Sequence, residues 1–182
     1  MLGPVLTGPG LRLEPPRAEH LPAFLRWFAD VEVTRFLLRR TPPSAKQEEA
    51  WLEEMAASQH DVIWAIVLPG EERLIGMTGL HRIDWVSRHA WSGILIGEQD
   101  CWGKGYGALA MRLRTAYAFR ELNLEKLNSA AFADNEASRR ALARAGYRPA
   151  GLLRRNWFAG GRWHDEALVE VLRQEWSEET RP

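Results

Sequence analysis

A single cysteine, Cys101, is the only thiol in the 182 residues. That excludes an internal disulfide and any cysteine-rich zinc site. Lack of disulfides fits a reducing compartment, so a cytoplasmic location is expected. No apolar run approaches the roughly 20 residues that cross a bilayer, and no membrane partner is expected. The opening stretch from Met1 to Gly10 has no basic segment ahead of an apolar core and does not read as a signal peptide. Net charge is also missing, since 24 basic residues balance 24 acidic ones. A binder that relies on bulk electrostatics needs an excess of one sign, so no nucleic-acid partner is expected. Lysine occurs only at Lys46, Lys104 and Lys126. There is no repeat, low-complexity tract or linker. The chain reads as one domain, residues 1–182 with a core at about 11–172, long enough to bury a real interior.

What is abundant is tryptophan, with nine residues, most of them expected in the core or in pocket walls. Leu11-Arg-Leu13 reads as a first strand. Residues 19–28 carry Leu21, Phe24, Leu25 and Phe28 at helical spacing, with Pro22 tolerable in the first turn. A short helix at about 32–38 follows, and Ser44 is a good N-cap for another reaching about 58. Strands are expected at 62–68, 73–80 and 89–96, the first two as an antiparallel hairpin. After a helix and a strand at 127–132, Asp134-Asn135 caps a helix that Gly146 closes. Strands at 147–153 and 167–172, joined near Ala159-Gly-Gly161, complete a mixed α/β sheet.

The most informative stretch follows the apolar run Ile94-Leu-Ile96. It is Gly97-Glu-Gln-Asp-Cys-Trp102-Gly-Lys-Gly-Tyr-Gly107-Ala108, and a long helix begins there with Tyr106, Leu109, Leu113, Ala116 and Tyr117 on one face. Arg112, Arg114 and Arg120 fall largely off that face. Three alternating glycines (103, 105 and 107) let backbone N–H groups approach a ligand. The helix start adds unpaired donors and the positive end of its dipole, and Lys104 adds a formal charge. Together they make an anion site, most simply for phosphate, a plain turn being the plainer alternative.

A P-loop fails on spacing: five residues separate Gly97 from Gly103, and Gly105 stands where the metal-binding hydroxyl should be. Gly103, Gly105 and Ala108 fit the dinucleotide G-x-G-x-x-A pattern, with Glu125 at about the right distance. The polar loop from Glu98 to Trp102, entered after three antiparallel strands, disfavours that topology. The third option is the pyrophosphate of coenzyme A. Trp102-Gly-Lys-Gly-Tyr-Gly-Ala108, then Asp134-Asn-Glu-Ala-Ser138 and Ala145-Gly-Tyr147, resembles the GNAT N-acetyltransferases, and within them the RimJ/RimL branch. The likeness runs from about residue 11 to 172. Trp102 departs from the Gln or Arg that usually opens the superfamily loop.

The resemblance implies a mixed, mostly antiparallel sheet of about seven strands, with two neighbours splayed apart around acetyl-CoA. By similarity, pantetheine would pair with the strand around Leu95, Ile96 and Gly97. The pyrophosphate would lie on Trp102, Gly103, Lys104, Gly105, Tyr106, Gly107 and Ala108, with Asn135 and Ser138 as further coenzyme contacts. The activity implied is transfer of acetyl to a primary amine, either a peptide N-terminus or a small molecule, without a metal. A homodimer is frequent in this branch. A non-catalytic acyl-CoA-binding regulator is the alternative.

For general base the leading candidate is Glu98, at the end of the strand where the thioester is expected; His81 and Asp84 are weaker candidates. The tyrosine that many members use as acid falls on Leu142 here. The branch proposal of a serine maps to Ser138, which could equally help satisfy the helix start. Cys101 has no paired histidine in the motif and is not favoured as a nucleophile. Trp157, Trp163 and His164 are expected to line the acceptor pocket or to pack in the core.

Overall fold

A computed structural model describes residues 1–39 and 41–176. Eight strands form one sheet: β1 (Leu6–Gly8), β2 (Leu11–Glu14), β3 (Val62–Leu68), β4 (Arg73–Asp84), β5 (His89–Ile96), β6 (Lys126–Phe132), β7 (Arg148–Ala159) and β8 (Arg162–Leu172). Their order is β1-β2-β3-β4-β5-β6-β8-β7, and only the β5–β6 pair is parallel. The eighth strand beyond the expected seven is β1. It turns back onto β2 through Gly10, whose φ of 71° suits a residue without Cβ. The closing strands are longer than their apolar stretches suggest. They tolerate exposed residues on an edge hairpin turned at Gly160 and Gly161, both with positive φ.

Among the described residues five α-helices cover the two faces: α1 (Leu21–Ala29), α2 (Val31–Thr34), α3 (Ala45–Ala57), α4 (Tyr106–Arg120) and α5 (Glu136–Arg144). Ser44 caps α3 as expected, in a reciprocal box with Gln47. On one face α4 packs over Leu11, Leu13, Trp64, Ile66 and Leu80. Trp64 is fully buried, its ring edge-on to Tyr117 and its indole donating to the Pro4 carbonyl at 2.9 Å. On the other face α1 brings Leu21, Phe24 and Trp27 against Leu74, Met77 and Leu95. Strand alternation assigns these two clusters to opposite sides of the same strands.

Helix α4 is more deeply enclosed than its apolar stripe implies, and Arg114 does not fall on an outer face. It is 1% exposed. One guanidinium nitrogen donates to Thr78 Oγ1 and, at 2.7 Å, to the Gly93 carbonyl; the other reaches Tyr147 Oη at 3.3 Å. Tyr147 Oη also meets Ser92 Oγ at 3.1 Å and Thr115 Oγ1 at 3.4 Å. This buried polar cluster ties α4, β4, β5 and the start of β7 together beneath the centre of the sheet.

Candidate active site

Strands β5 and β6 pair only through His89, Ala90 and Trp91, opposite Lys126, Leu127 and Asn128. Beyond Trp91 they separate. A hydroxyl marks the fork, with Ser129 Oγ donating to the Ser92 carbonyl at 2.9 Å. A cleft of about 560 Å³ follows the opening. Its walls are residues 92–96 of β5 and 129–132 of β6, and its ends are the glycine loop with the start of α4, α5, and the segment after α2.

The register says which strand groups face that cleft. The Gly97 N–H donates to the Ile75 carbonyl at 2.9 Å, so Gly97 and, two residues back, Leu95 turn their backbone toward β4. Ile94 and Ile96 therefore turn theirs toward the gap. Trp102 Nε1 donates to the Ile96 carbonyl at 2.8 Å. The Ile94 N–H and C=O and the Ile96 N–H are left along the open edge. Of Leu95, Ile96 and Gly97, only Ile96 presents strand hydrogen-bonding groups there, and Ile94 is the residue that sequence reading missed. Strict alternation from a single paired position would have found it.

The loop is built for close backbone approach. Gly103 and Gly105 have φ of 75° and 89°, and Gly105 is the N-cap of α4. No side chain caps that helix, and its first turn holds no carboxylate. The first helical bond is made by the Leu109 N–H, donating to the Gly105 carbonyl. The N–H groups of Tyr106, Gly107 and Ala108 thus lie at the positive end of a fifteen-residue helix with no intrahelical partner. Gly107 and Ala108 line the cleft with Gly103, Gly105 and Tyr106. Lys104 adds its charge in the same loop.

Across the cleft, Asn135 caps α5, its Oδ1 accepting from the Ser138 N–H at 3.1 Å. Both residues line the cleft. The Ser138 hydroxyl has no hydrogen-bond partner among the described residues, so it is free to meet a ligand in the gap.

Glu98 is placed differently from its expected role. It does not line the cleft. Its Oε1 accepts from Trp27 Nε1 at 2.8 Å and from Arg26, and its Oε2 accepts from Arg73 at 3.2 Å. Burial pushes its carboxyl upward, but hydrogen bonds from Trp27 and Arg26, the Arg26 charge and the Arg73 bond together hold it below the usual range. A carboxylate with three donors and a low pKa is a poor proton acceptor. This geometry does not support Glu98 as base. Asp84 is likewise engaged, its Oδ1 accepting the Val86 and Ser87 N–H groups of the following turn.

The remaining candidates sort by their partners. His164 is buried, with Nδ1 at 3.0 Å from Asp134 and Nε2 at 3.1 Å from the Ala159 carbonyl, so both nitrogens are engaged. Trp163 is half exposed against Phe158, and Trp157 pairs with His164 across the closing hairpin. Cys101 is buried, which pushes its thiol upward. His81 on β4 has Nδ1 at 3.0 Å from Asp61, and its Nε2 has no hydrogen-bond partner among the described residues.

The cleft can therefore take an extended chain with amide groups along β5 and an anionic group at the α4 terminus. The Acetyltransferase (GNAT) domain family matches residues 10–148. An uncharacterized N-acetyltransferase, YoaA of Bacillus subtilis, is 26% identical over 173 residues, which is 93% of this chain and 97% of that protein. The spermidine N-acetyltransferase of Vibrio cholerae, solved with CoA and spermine, superposes with a TM-score of 0.85 at 19% identity, covering 91% of this chain and 97% of that one. Mycobacterium smegmatis RimJ, solved with CoA-disulfide, gives 0.84 at 19% identity over 97% of this chain and 90% of that one. Those two structures share the fold.

Proposed function

The chain belongs to the GNAT acetyltransferase family, and from that premise we propose that it moves an acetyl group from acetyl-CoA directly to a primary amine, either a peptide N-terminus or a small-molecule amine, in a ternary complex. The observation that carries this reading is the set of unpartnered N–H groups on Tyr106, Gly107 and Ala108, opening onto the gap between β5 and β6. A pyrophosphate is the group that such a cradle fits. The Ile94 and Ile96 backbone groups suit the amides of pantetheine, which would lie along β5 as an added strand. From Ile96 back to Ser92 the strand covers about 13 Å at about 3.3 Å per residue. A chain held at the α4 terminus thus delivers its reactive end toward the fork.

Acetyl transfer needs a neutral amine held against the thioester carbonyl, donors for the tetrahedral oxyanion, and a proton for the departing thiolate. Positioning supplies much of the acceleration, and backbone N–H groups of β5 near the fork are suited to the oxyanion. Ser138, with its hydroxyl free in the gap, is assigned the proton donation to sulfur, and Asn135 the cap that fixes it. Trp102 holds the Ile96 carbonyl and so sets the strand end beside the loop. Glu98, bridging Arg26, Trp27 and Arg73, is assigned a positioning role between α1, β4 and the loop.

Calorimetric titration with acetyl-CoA, followed by thiol release with an N-terminally free tripeptide, spermine and 2-phenylethylamine, tests the reading. Binding in the micromolar range with thiol release dependent on one of these amines is the expected result. Binding without release on any amine would favour a regulatory acyl-CoA binder. In the active enzyme, Ser138→Ala is expected to lower kcat at least tenfold; full turnover removes it from the mechanism.

A further inference from the structure

Strand β4 carries an irregularity that its partners do not need. Its pairing with β5 shifts register between His81 and Asp84, and Arg82, an ordinary L-residue, sits at φ 51°. Bulges re-aim a side chain, and a non-glycine residue at positive φ persists only where its surroundings enforce it. What the bulge aims is His81. Its Nδ1 lies 3.0 Å from Asp61 Oδ1, and Asp61 is itself fixed by the Ser58 hydroxyl, which donates to its Oδ2 at 2.8 Å. With the carboxylate accepting at Nδ1, the ring is the tautomer whose Nε2 carries a lone pair.

That nitrogen lies over two residues without side chains. A Cβ on Gly79 would stand 2.7 Å from Nε2, and one on Gly93 would stand 3.8 Å from it. Gly93 is two residues beyond the last β5–β6 pair and lines the cleft at the fork. The ring is on the sheet face that carries Leu95 and Met77, opposite α4. An oriented carboxylate, an imidazole with one free nitrogen, and a bare strand between that nitrogen and the place where the reactive end arrives are three separate features. His81 does not itself line the cleft; it reaches the cleft wall across Gly93.

We propose that His81 is the general base of the acetyl transfer, with Asp61 as the residue that positions it. The proposal rests on the reading above that a thioester is delivered along β5. The amine nitrogen gives its lone pair to the thioester carbonyl carbon, forming the C–N bond. The C–S bond then breaks, with its electron pair leaving on sulfur. His81 Nε2 takes the proton lost by nitrogen, directly or through one water, and the thiolate is protonated from the Ser138 side of the cleft. The charged groups that act on the imidazole are Asp61 from the α3–β3 turn, Arg82 on its own strand and Arg114 from across the sheet. Burial, with the two arginines, holds His81 below its ordinary value despite the bond from Asp61. At neutral pH the ring is thus unprotonated and able to accept.

The test has an arm that needs no acceptor. Long-range proton–nitrogen spectra of the full-length protein at pH 7 should show His81 as the Nδ1–H tautomer, with its Nε2 resonance moving when acetyl-CoA is added. A ring protonated at pH 7, or an Nε2 signal that acetyl-CoA leaves unmoved, overturns the assignment even if acetyl-CoA binds. The second arm uses whichever amine supports thiol release. At pH 7 His81→Gln should melt close to the parent, keep acetyl-CoA affinity within twofold and lower kcat by about 10²–10⁴-fold. It should also erase the acidic limb of the kcat profile, and free imidazole should restore part of the rate to His81→Ala. Asp61→Asn should shift that limb and the tautomer balance while lowering kcat less. A His81→Gln enzyme with kcat within twofold and an unchanged limb rejects the base role, while leaving the coenzyme reading intact.

Discussion

The Trp27 indole stands where a side chain on Gly97 would have to be: a Cβ there would lie 2.0 Å from the ring. The same indole donates to Glu98 Oε1 at 2.8 Å. One aromatic residue of α1 therefore clamps two consecutive residues at the exit of β5, just before the loop that opens α4. Gly97→Ala should overpack this contact, at a cost of about 1–3 kcal/mol, and thermal unfolding should show a lower midpoint. A variant melting within a degree of the parent would mean that α1 moves aside freely.

Glu98→Gln separates structure from chemistry at the same place. The carboxylate is 19% exposed and neutralises Arg26 and Arg73, so replacing it should cost about 1–2 kcal/mol of stability. Its pKa is depressed in the folded state. That contribution is present above the unfolded carboxyl value and is lost as pH falls through the lower folded one. Chemical denaturation should show the stability gap between parent and variant narrowing as pH falls below about 4. The acidic limb of the kcat profile should stay in place, because this carboxyl does not take the proton.

The unequal legibility of these residues has a physical cause. The strand, loop and helix around Gly103 and Gly105 are local, set by apolar run, backbone freedom and helix start, and all three can be read within fifteen residues. Glu98 is determined by Arg26 and Trp27 from α1 and by Arg73 from β4, partners that no local pattern reveals. Arg114 looks like a solvent residue by periodicity and type. Its burial depends on Thr78, Gly93 and Tyr147 all turning polar atoms to one point beneath the fork. His81 reads as one histidine in a strand until Asp61, twenty residues earlier, and the bulge at Arg82 are placed beside it.

Gly105→Ala tests the loop through backbone strain alone. Nothing lies within 4 Å of a Cβ built at Gly105, so no clash is created, yet its φ of 89° is unfavourable for an L-residue by about 1–2 kcal/mol. Relief of that strain would rotate the N–H groups at the start of α4. Acetyl-CoA affinity should fall about tenfold while the fold remains. Gly107→Ala adds a Cβ in ordinary contact with Ile94 and Ile96 at helical φ, so it should leave the melting temperature close to that of the parent. Equal affinities for parent and Gly105→Ala would dissociate the loop from coenzyme binding.

Two histidines, buried His20 and partly exposed His81, set the acid side of stability. His20 and His81 are both held below their ordinary value, mainly by burial. In the interval between the folded values and about 6.5 the unfolded chain binds more protons than the folded one, so stability rises with pH there. Melting temperatures should therefore decline from pH 7 toward pH 5. The double variant His20→Gln, His81→Gln should flatten that decline; an unchanged slope would assign it to other groups.

Tyr147→Phe removes a single oxygen from the cluster beneath the fork. That hydroxyl meets Arg114, Ser92 and Thr115, and all three are buried. Its loss leaves one guanidinium nitrogen of Arg114 without its only side-chain partner in the cluster, in a residue whose Nε is already unpaired. Buried donors left unsatisfied cost about 1–3 kcal/mol, more when charged. The volume is nearly conserved, so packing contributes little. A lower unfolding midpoint in denaturant at unchanged slope is the expected signature. Because Arg114 also holds the Gly93 carbonyl, the strain falls on a strand residue beside the fork. Tyr147→Phe should consequently slow turnover more than it weakens acetyl-CoA binding. A variant that loses affinity and rate in equal proportion would place the effect at the loop end of β5 instead.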